Sequence, residues 1–148
     1  MQELHLRPVG HIRREEGRVL VELLPQYRPA LKGIEEYEYL YLLWWFDQNG
    51  PPKEERLLVK PPHPNAPQKL GVFATRTPHR PNPIALDVVR LQWIHHGKGL
   101  LCIDRSDAWD GTAVLDIKPY VPGSDRVERA GTPAWHLGWA QSRPGAGE

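Results

Sequence analysis

A single all-β or β-rich domain, closed as a barrel or stacked as a sandwich, is what this 148-residue chain predicts. Three observations carry that expectation. The chain holds 16 prolines and 13 glycines, which rules out a fold made mainly of long helices. Its apolar runs are short, of strand length, and rich in β-branched and aromatic residues. Turn-forming clusters separate them at regular intervals, as in sandwiches and barrels.

The elements follow in order. Val19 to Leu24 ("VLVELL") reads as a strand stopped by Pro25. Pro29 to Tyr37 offers one or two helical turns, weakened by Gly33. Tyr39 to Phe46 ("YLYLLWWF") is continuously apolar and aromatic, so it is expected as a central strand. Alternation lets only one of Trp44 and Trp45 face a given side of the sheet. "ERLLVK" is a further candidate strand. Lys60 to Pro67 ("KPPHPNAP") should be an extended, polyproline-like loop and not part of a ladder. Gly71 to Thr75 and Pro83 to Ile94 read as strands. "HHGKG" (His95 to Gly99) reads as a hairpin turn into the strand "LLCID". "DAWDGT" is a turn, "AVLDIK" a last strand ending at Pro119, and the remainder a Pro/Gly-rich tail.

Composition narrows the function classes. The chain is 40% hydrophobic and 25% charged, ordinary for a globular domain. At this length one real core is expected. The net charge of +1 gives no global basic field, so contact with a polyanion must come from a local patch. The single cysteine, Cys102, excludes an internal disulfide and favours a reducing, cytoplasmic setting. It lies in an apolar run with no activating base beside it, so it reads as a small buried hydrophobe and not a nucleophile. The N-terminal stretch is too polar for a signal peptide, and no run is long enough to span a membrane. His63, His79, His95, His96 and His136 lack tight ligand spacing, so no metal site is expected.

The most distinctive stretch is "GVFATRTPHRPNPIALDVVRL", Gly71 to Leu91. Pro78, Pro81 and Pro83 fix the backbone and restrict Thr77, Arg80 and Asn82 before them. Such a segment loses little entropy when it presents Arg76, His79, Arg80 and Asn82 to a partner. Arginine suits phosphate and carboxylate, and asparagine can read an adenine edge. A stiff loop with solvated arginines is the alternative.

A second stretch, "DAWDGTAVLDIKPYVP", places Asp107 and Asp110 around a tight turn, where Gly111 permits close backbone approach. Asp116, Lys118 and Tyr120 alternate along the following strand and share a face. They form either a structural ion pair beside a hydroxyl or an acid–base row.

These two stretches are similar to the signatures of the TsaA-like family, also called TrmO or YaeB-like. "VELLPQYRPALKGIEEYEYLYLLWWF" resembles that family's early region. The resemblance runs from about Val9 to Pro122, so a barrel domain is expected over residues 1–122. Residues 123–148 are expected as a tail packing on it or extending from it. The resemblance implies an antiparallel β-barrel with one or two short helices, a homodimer, and S-adenosylmethionine as cofactor. It implies methylation of N6 of threonylcarbamoyladenosine in tRNA, next to the anticodon. Family cofactor contacts carry over to Asp47 and Gln48, Arg76, Leu86, and the turn containing Asp107, Asp110, Gly111 and Thr112. Asp110 or Asp116 is a candidate proton acceptor, with Lys118 or Tyr120 positioning the proton. Arg13, Arg14, Arg76 and Arg80 are candidates for phosphate contacts, with His79 and Asn82 beside them. The chain departs from the family in a shortened N-terminal loop. It also has Asp47 where the family often has His, and Ala85 and Asp87 where the family has Gly and Ser. A binding module without catalysis and a methyltransferase for a small molecule are the other readings these departures leave open.

Overall fold

The computed structural model describes residues 2–46 and 57–144. Six antiparallel strands close into a barrel in the order β1-β2-β7-β6-β3-β8, with β8 returning to β1. They are β1 (Gly10–Glu15), β2 (Arg18–Leu23), β3 (Tyr39–Trp45), β6 (Ile84–His95), β7 (Leu100–Ile103) and β8 (Ala113–Pro119). A separate two-stranded ribbon joins β4 (Leu58–Val59) to β5 (Leu70–Gly71). Closure leaves the barrel strands no open edge, the state in which a β fold best resists pairing with another chain.

The interior follows from strand alternation. Leu40, Leu42 and Trp44 point inward from β3 and are buried, while Tyr39, Tyr41, Leu43 and Trp45 lie outward and half-buried. Ile12, Val21 and Leu101 stand side by side in the β1–β2–β7 ladder and are fully buried. Two loop residues complete this core: Leu31 and Ala108. Leu31 ends a 3-10 turn, Pro25–Leu31, and Gly33 in the left-handed region (φ 88°) separates it from a second, Ile34–Glu36. The weak helical signal is thus met by two short tight turns.

Two elements differ from the sequence expectation. β1 was not anticipated, because Arg13 and Glu15 give it a polar outer face. A two-residue turn, Glu16-Gly17, joins it to β2, with φ of 50° and 75° at the two positions. Positive φ at both central residues is the hairpin geometry whose twist matches paired strands. Gly71 to Thr75, expected as a strand, leaves the ladder after Gly71 and forms a 3-10 turn over Val72–Ala74. The physical cause is local: Thr75 donates both its amide N–H (3.1 Å) and its hydroxyl (2.9 Å) to the Val72 carbonyl. A threonine side chain that bonds nearby backbone competes with strand pairing.

Beyond β8, α1 (Pro122–Asp125) begins a tail that returns to the barrel. Arg143 pairs with Asp104 and lies 5.1 Å over the Tyr39 ring. Trp139 packs 4.8 Å from His63 in the proline-rich loop and stacks on His136 at 3.8 Å. That loop joins no ladder. Among the described residues, no helix is long and apolar enough to cross a membrane.

Candidate functional site

A groove of about 1030 Å³ lies between the barrel and the tail. Three segments supply its barrel side: the start of β6 (Leu86, Asp87, Val88), the loop after β7 (Arg105, Ser106, Asp107), and Arg76 from the proline-fixed knuckle. Tyr39 and Tyr120 add aromatic rings, and residues 125–129 and 141–144 of the tail form the facing wall.

The loop after β7 is fastened at each end. Asp104 makes two hydrogen bonds to the Arg90 backbone, its N–H donating to the Arg90 carbonyl at 3.1 Å and its carboxylate accepting the Arg90 N–H at 2.8 Å. At the far end, Gly111 donates to the Ile12 carbonyl and Ile12 to the Thr112 carbonyl, each at 2.8 Å. Ser106 anchors the middle, its hydroxyl donating to Asp87 at 2.8 Å and accepting the Ala108 N–H at 3.1 Å. A loop held this way keeps its backbone path and the Ser106 hydroxyl in fixed places.

Asp87 occupies an unusual position. It pairs with Leu42 across the β3–β6 ladder and so shares the inward face. An inward carboxylate is costly unless it is partnered. Here the indole N–H of buried Trp44 and the Ser106 hydroxyl both donate to its Oδ2, at 2.8 Å each.

The sequence-derived candidates separate into groups. Arg76, Leu86, Asp107 and Tyr120 line the groove together. The Asp110 carboxylate accepts the Arg14 backbone N–H at 2.8 Å, while Gly111 and the buried Thr112 pair with β1. Asp116 and Lys118 stand exposed on the outer face of β8 with 3.5 Å between their charged groups, away from the groove lining. Arg80 is turned onto its own loop, donating to the carbonyls of Thr75 (2.9 Å) and Thr77 (3.2 Å). His79 and Asn82 are exposed beside it. Arg14 reaches the carbonyls of Ser106 and Ala108. Arg13 lies between Glu22 (2.7 Å) and Glu15 (2.6 Å), and those carboxylates, Glu22 foremost, hold its proton more firmly than usual. Asp47 and Gln48 lie outside the described residues.

Sequence reasoning noted Asp87 only as a departure from the family, without a site role, and missed Arg105, Ser106 and the tail wall. Asp87 had a readable signal, a lone charge inside the apolar run "IALDVV". The tail had none, since its groove residues fall in a stretch without a motif. Among the described residues no group of three or more His, Cys, Asp or Glu converges as a metal site.

The model of the tRNA-methyltransferase O N-terminal domain matches residues 5–126. The chain belongs to this family. A probable S-adenosyl-L-methionine-binding protein of Archaeoglobus fulgidus is 39% identical over 153 residues, covering 94% of this chain and 38% of that protein. Another so described, from Pyrococcus horikoshii, is 41% identical over 112 residues, covering 75% of this chain and 78% of its own. The tRNA (adenine(37)-N6)-methyltransferase of Escherichia coli is 36% identical over 119 residues, covering 79% of this chain and 48% of the enzyme. A crystal structure of TrmO superposes with a TM-score of 0.69 at 35% identity, covering 88% of this chain and 64% of that one. The chain therefore spans less than half of the Archaeoglobus and Escherichia coli relatives, and the family's barrel is the part it shares.

Proposed function

We propose that the chain is an S-adenosylmethionine-dependent methyltransferase acting on N6 of an adenosine in tRNA, with threonylcarbamoyladenosine next to the anticodon as the acceptor. One observation carries the reading. In a chain of this family, the groove gathers Arg76, Leu86 and Asp107, three of the positions to which the resemblance assigns cofactor contacts.

The groove's chemistry fits the cofactor. Arg76 or Arg105 would meet its carboxylate, the Asp107 side chain its ammonium or ribose hydroxyls, and the Tyr120 face its positive sulfur. When bound, S-adenosylmethionine supplies a methyl group on a sulfonium. The protein's own part is then to hold two reactants close, exclude water and receive a proton. The tail wall, closing over Tyr39 through Arg143, serves exclusion. Of the four sequence-derived acid–base candidates, Tyr120 is the one in the groove, where its hydroxyl can orient the acceptor. Arg76 and the exposed His79 and Asn82 form the rim that would meet the tRNA. A cytoplasmic homodimer belongs to this reading; exposed Phe73, Leu57 and Leu58 supply apolar surface for it.

Titration calorimetry with S-adenosylmethionine, followed by transfer of labelled methyl to tRNA lacking the modification, tests the proposal. Micromolar binding, about −8 kcal/mol, with label recovered in N6-methylated nucleoside, is the expected result. Binding without transfer to any tRNA would refute the substrate. No binding by folded protein would refute the cofactor.

A further inference from the structure

Resting on that methyltransferase reading, we propose that Asp87 is the group that takes the proton from the acceptor nitrogen. Four carboxylates line the groove: Asp87, Asp107, Asp125 and Glu128. Asp125 is engaged with its own helix, accepting the Val121 N–H at 2.8 Å. Glu128 faces Arg126 at 3.5 Å and is largely exposed, and Asp107 is exposed on its loop. Asp87 differs from all three. Its place in the β3–β6 ladder turns it inward, and it is half-buried.

Asp87 is also held in one orientation. Both donors, Trp44 Nε1 and Ser106 Oγ, reach the same oxygen, Oδ2, at 2.8 Å. Trp44 is a core residue and Ser106 belongs to the loop fastened to β6 and β1, so neither donor can drift. Asp87 lines the groove, and among the described residues both of its hydrogen bonds fall on Oδ2, leaving Oδ1 available to a ligand there. A carboxylate with one oxygen tied down and the other free toward a ligand is arranged to accept a hydrogen bond from that ligand.

The reaction calls for such a group. Methylation of an N–H nitrogen forms the nitrogen–carbon bond from the nitrogen lone pair. The carbon–sulfur bond breaks with its electron pair left on sulfur, which becomes neutral. The nitrogen is left with one surplus proton, and Asp87 Oδ1 receives it.

Asp87→Asn is the informative variant, because its amide oxygen can still accept from Trp44 and Ser106 while it can no longer take a proton. The expected result is a loss of single-turnover methyl transfer of about 100-fold or more. The calorimetric Kd for S-adenosylmethionine and the Kd for tRNA should each stay within about threefold of wild type, and the melting temperature should not change. Asp87→Glu, which restores a carboxylate, should transfer faster than the Asn variant. An Asn variant as fast as wild type would overturn the assignment. So would one whose slowness is explained by lost cofactor binding, which would make Asp87 a cofactor ligand. A wild-type chain that binds cofactor but transfers nothing would instead overturn the reading on which the assignment rests.

Discussion

The backbone N–H of Arg14 donates to the Asp110 carboxylate at 2.8 Å, while the Arg14 guanidinium holds the carbonyls of Ser106 and Ala108. The first strand thus fastens the whole loop that crosses from β7 to β8. Arg14 and Arg76 both read as phosphate contacts in the sequence, but Arg14 is engaged on this loop while Arg76 is exposed on the groove, and on the proposed function the two should respond differently to mutation. Arg14→Ala is expected to lower stability by about 1 kcal/mol and leave the salt dependence of tRNA binding unchanged. Arg76→Ala is expected to leave stability unchanged and to reduce the slope of log affinity against log salt by about 1. Urea melts and binding isotherms across a salt series check both, and the opposite pattern would refute the division of labour.

Gly10 sits where β1 meets two neighbours, opposite Leu23 on β2 and Val114 on β8. A Cβ there would stand 2.3 Å from the Glu22 carbonyl oxygen and 3.0 Å from the Leu23 Cα. Both obstacles are backbone, so a strand must shift. Gly10→Ala should cost about 2–3 kcal/mol, the upper part of the overpacking range. Thermal unfolding measures it; an unchanged melting temperature would mean the strands are not this close.

Cys102 is buried in β7, its thiol donating to Gln92 at 3.3 Å. Burial raises its pKa, and the positive charge of Arg18 offsets part of that rise. In the unfolded chain the thiol ionises near about 8.5. Between that pH and the higher native value, the folded state binds more protons, so stability falls as pH rises through this window. The contribution is fully present below it. Cys102→Ala should therefore show a shallower alkaline decline than wild type in urea melts from neutral pH to about 10. Identical slopes would contradict the shift.

Arg143 joins the tail to the barrel through Asp104 and the Tyr39 ring. Arg143→Ala should expose the tail between Arg126 and Arg143 to trypsin, raising the cleavage rate about 10-fold, while the barrel survives. Methyl transfer should fall with it, because the groove loses its facing wall. A tail equally resistant in the variant would place its attachment elsewhere, at Trp139 and His63.

The sequence disclosed the barrel strands that carry their own pattern. β3 announced itself through eight continuous apolar residues, and alternation required that only one of Trp44 and Trp45 face the core; the structure puts Trp44 there. β1 stayed hidden because a barrel strand needs apolar residues on one face, and here Gly10 and Ile12 supply that face alone. Of the groove lining, Arg76, Leu86, Asp107 and Tyr120 could be named from local motifs, whereas the Asp110-Gly111 turn, equally conspicuous in the sequence, bonds to β1 instead. The site was not legible where distant segments meet. Nothing local says that Ser106 and Trp44 converge on Asp87, or that residues 125–129 and 141–144 face Leu86. Those relations are set by closure and by where the tail returns.

The strand order β1-β2-β7-β6-β3-β8 carries one more consequence. β8 is the last barrel strand in the chain, and it sits between β1 and β3. During synthesis, neither of those strands can find its second partner until residues beyond Ala113 have emerged. A nascent or truncated chain ending earlier exposes two unpaired backbone edges at once, one on a polar strand and one on the aromatic β3. Long-range pairing of this kind forms late and slowly, and an apolar open edge invites pairing with another copy. The ribosome-bound intermediate, more than the finished barrel, is where this protein is most exposed to aggregation.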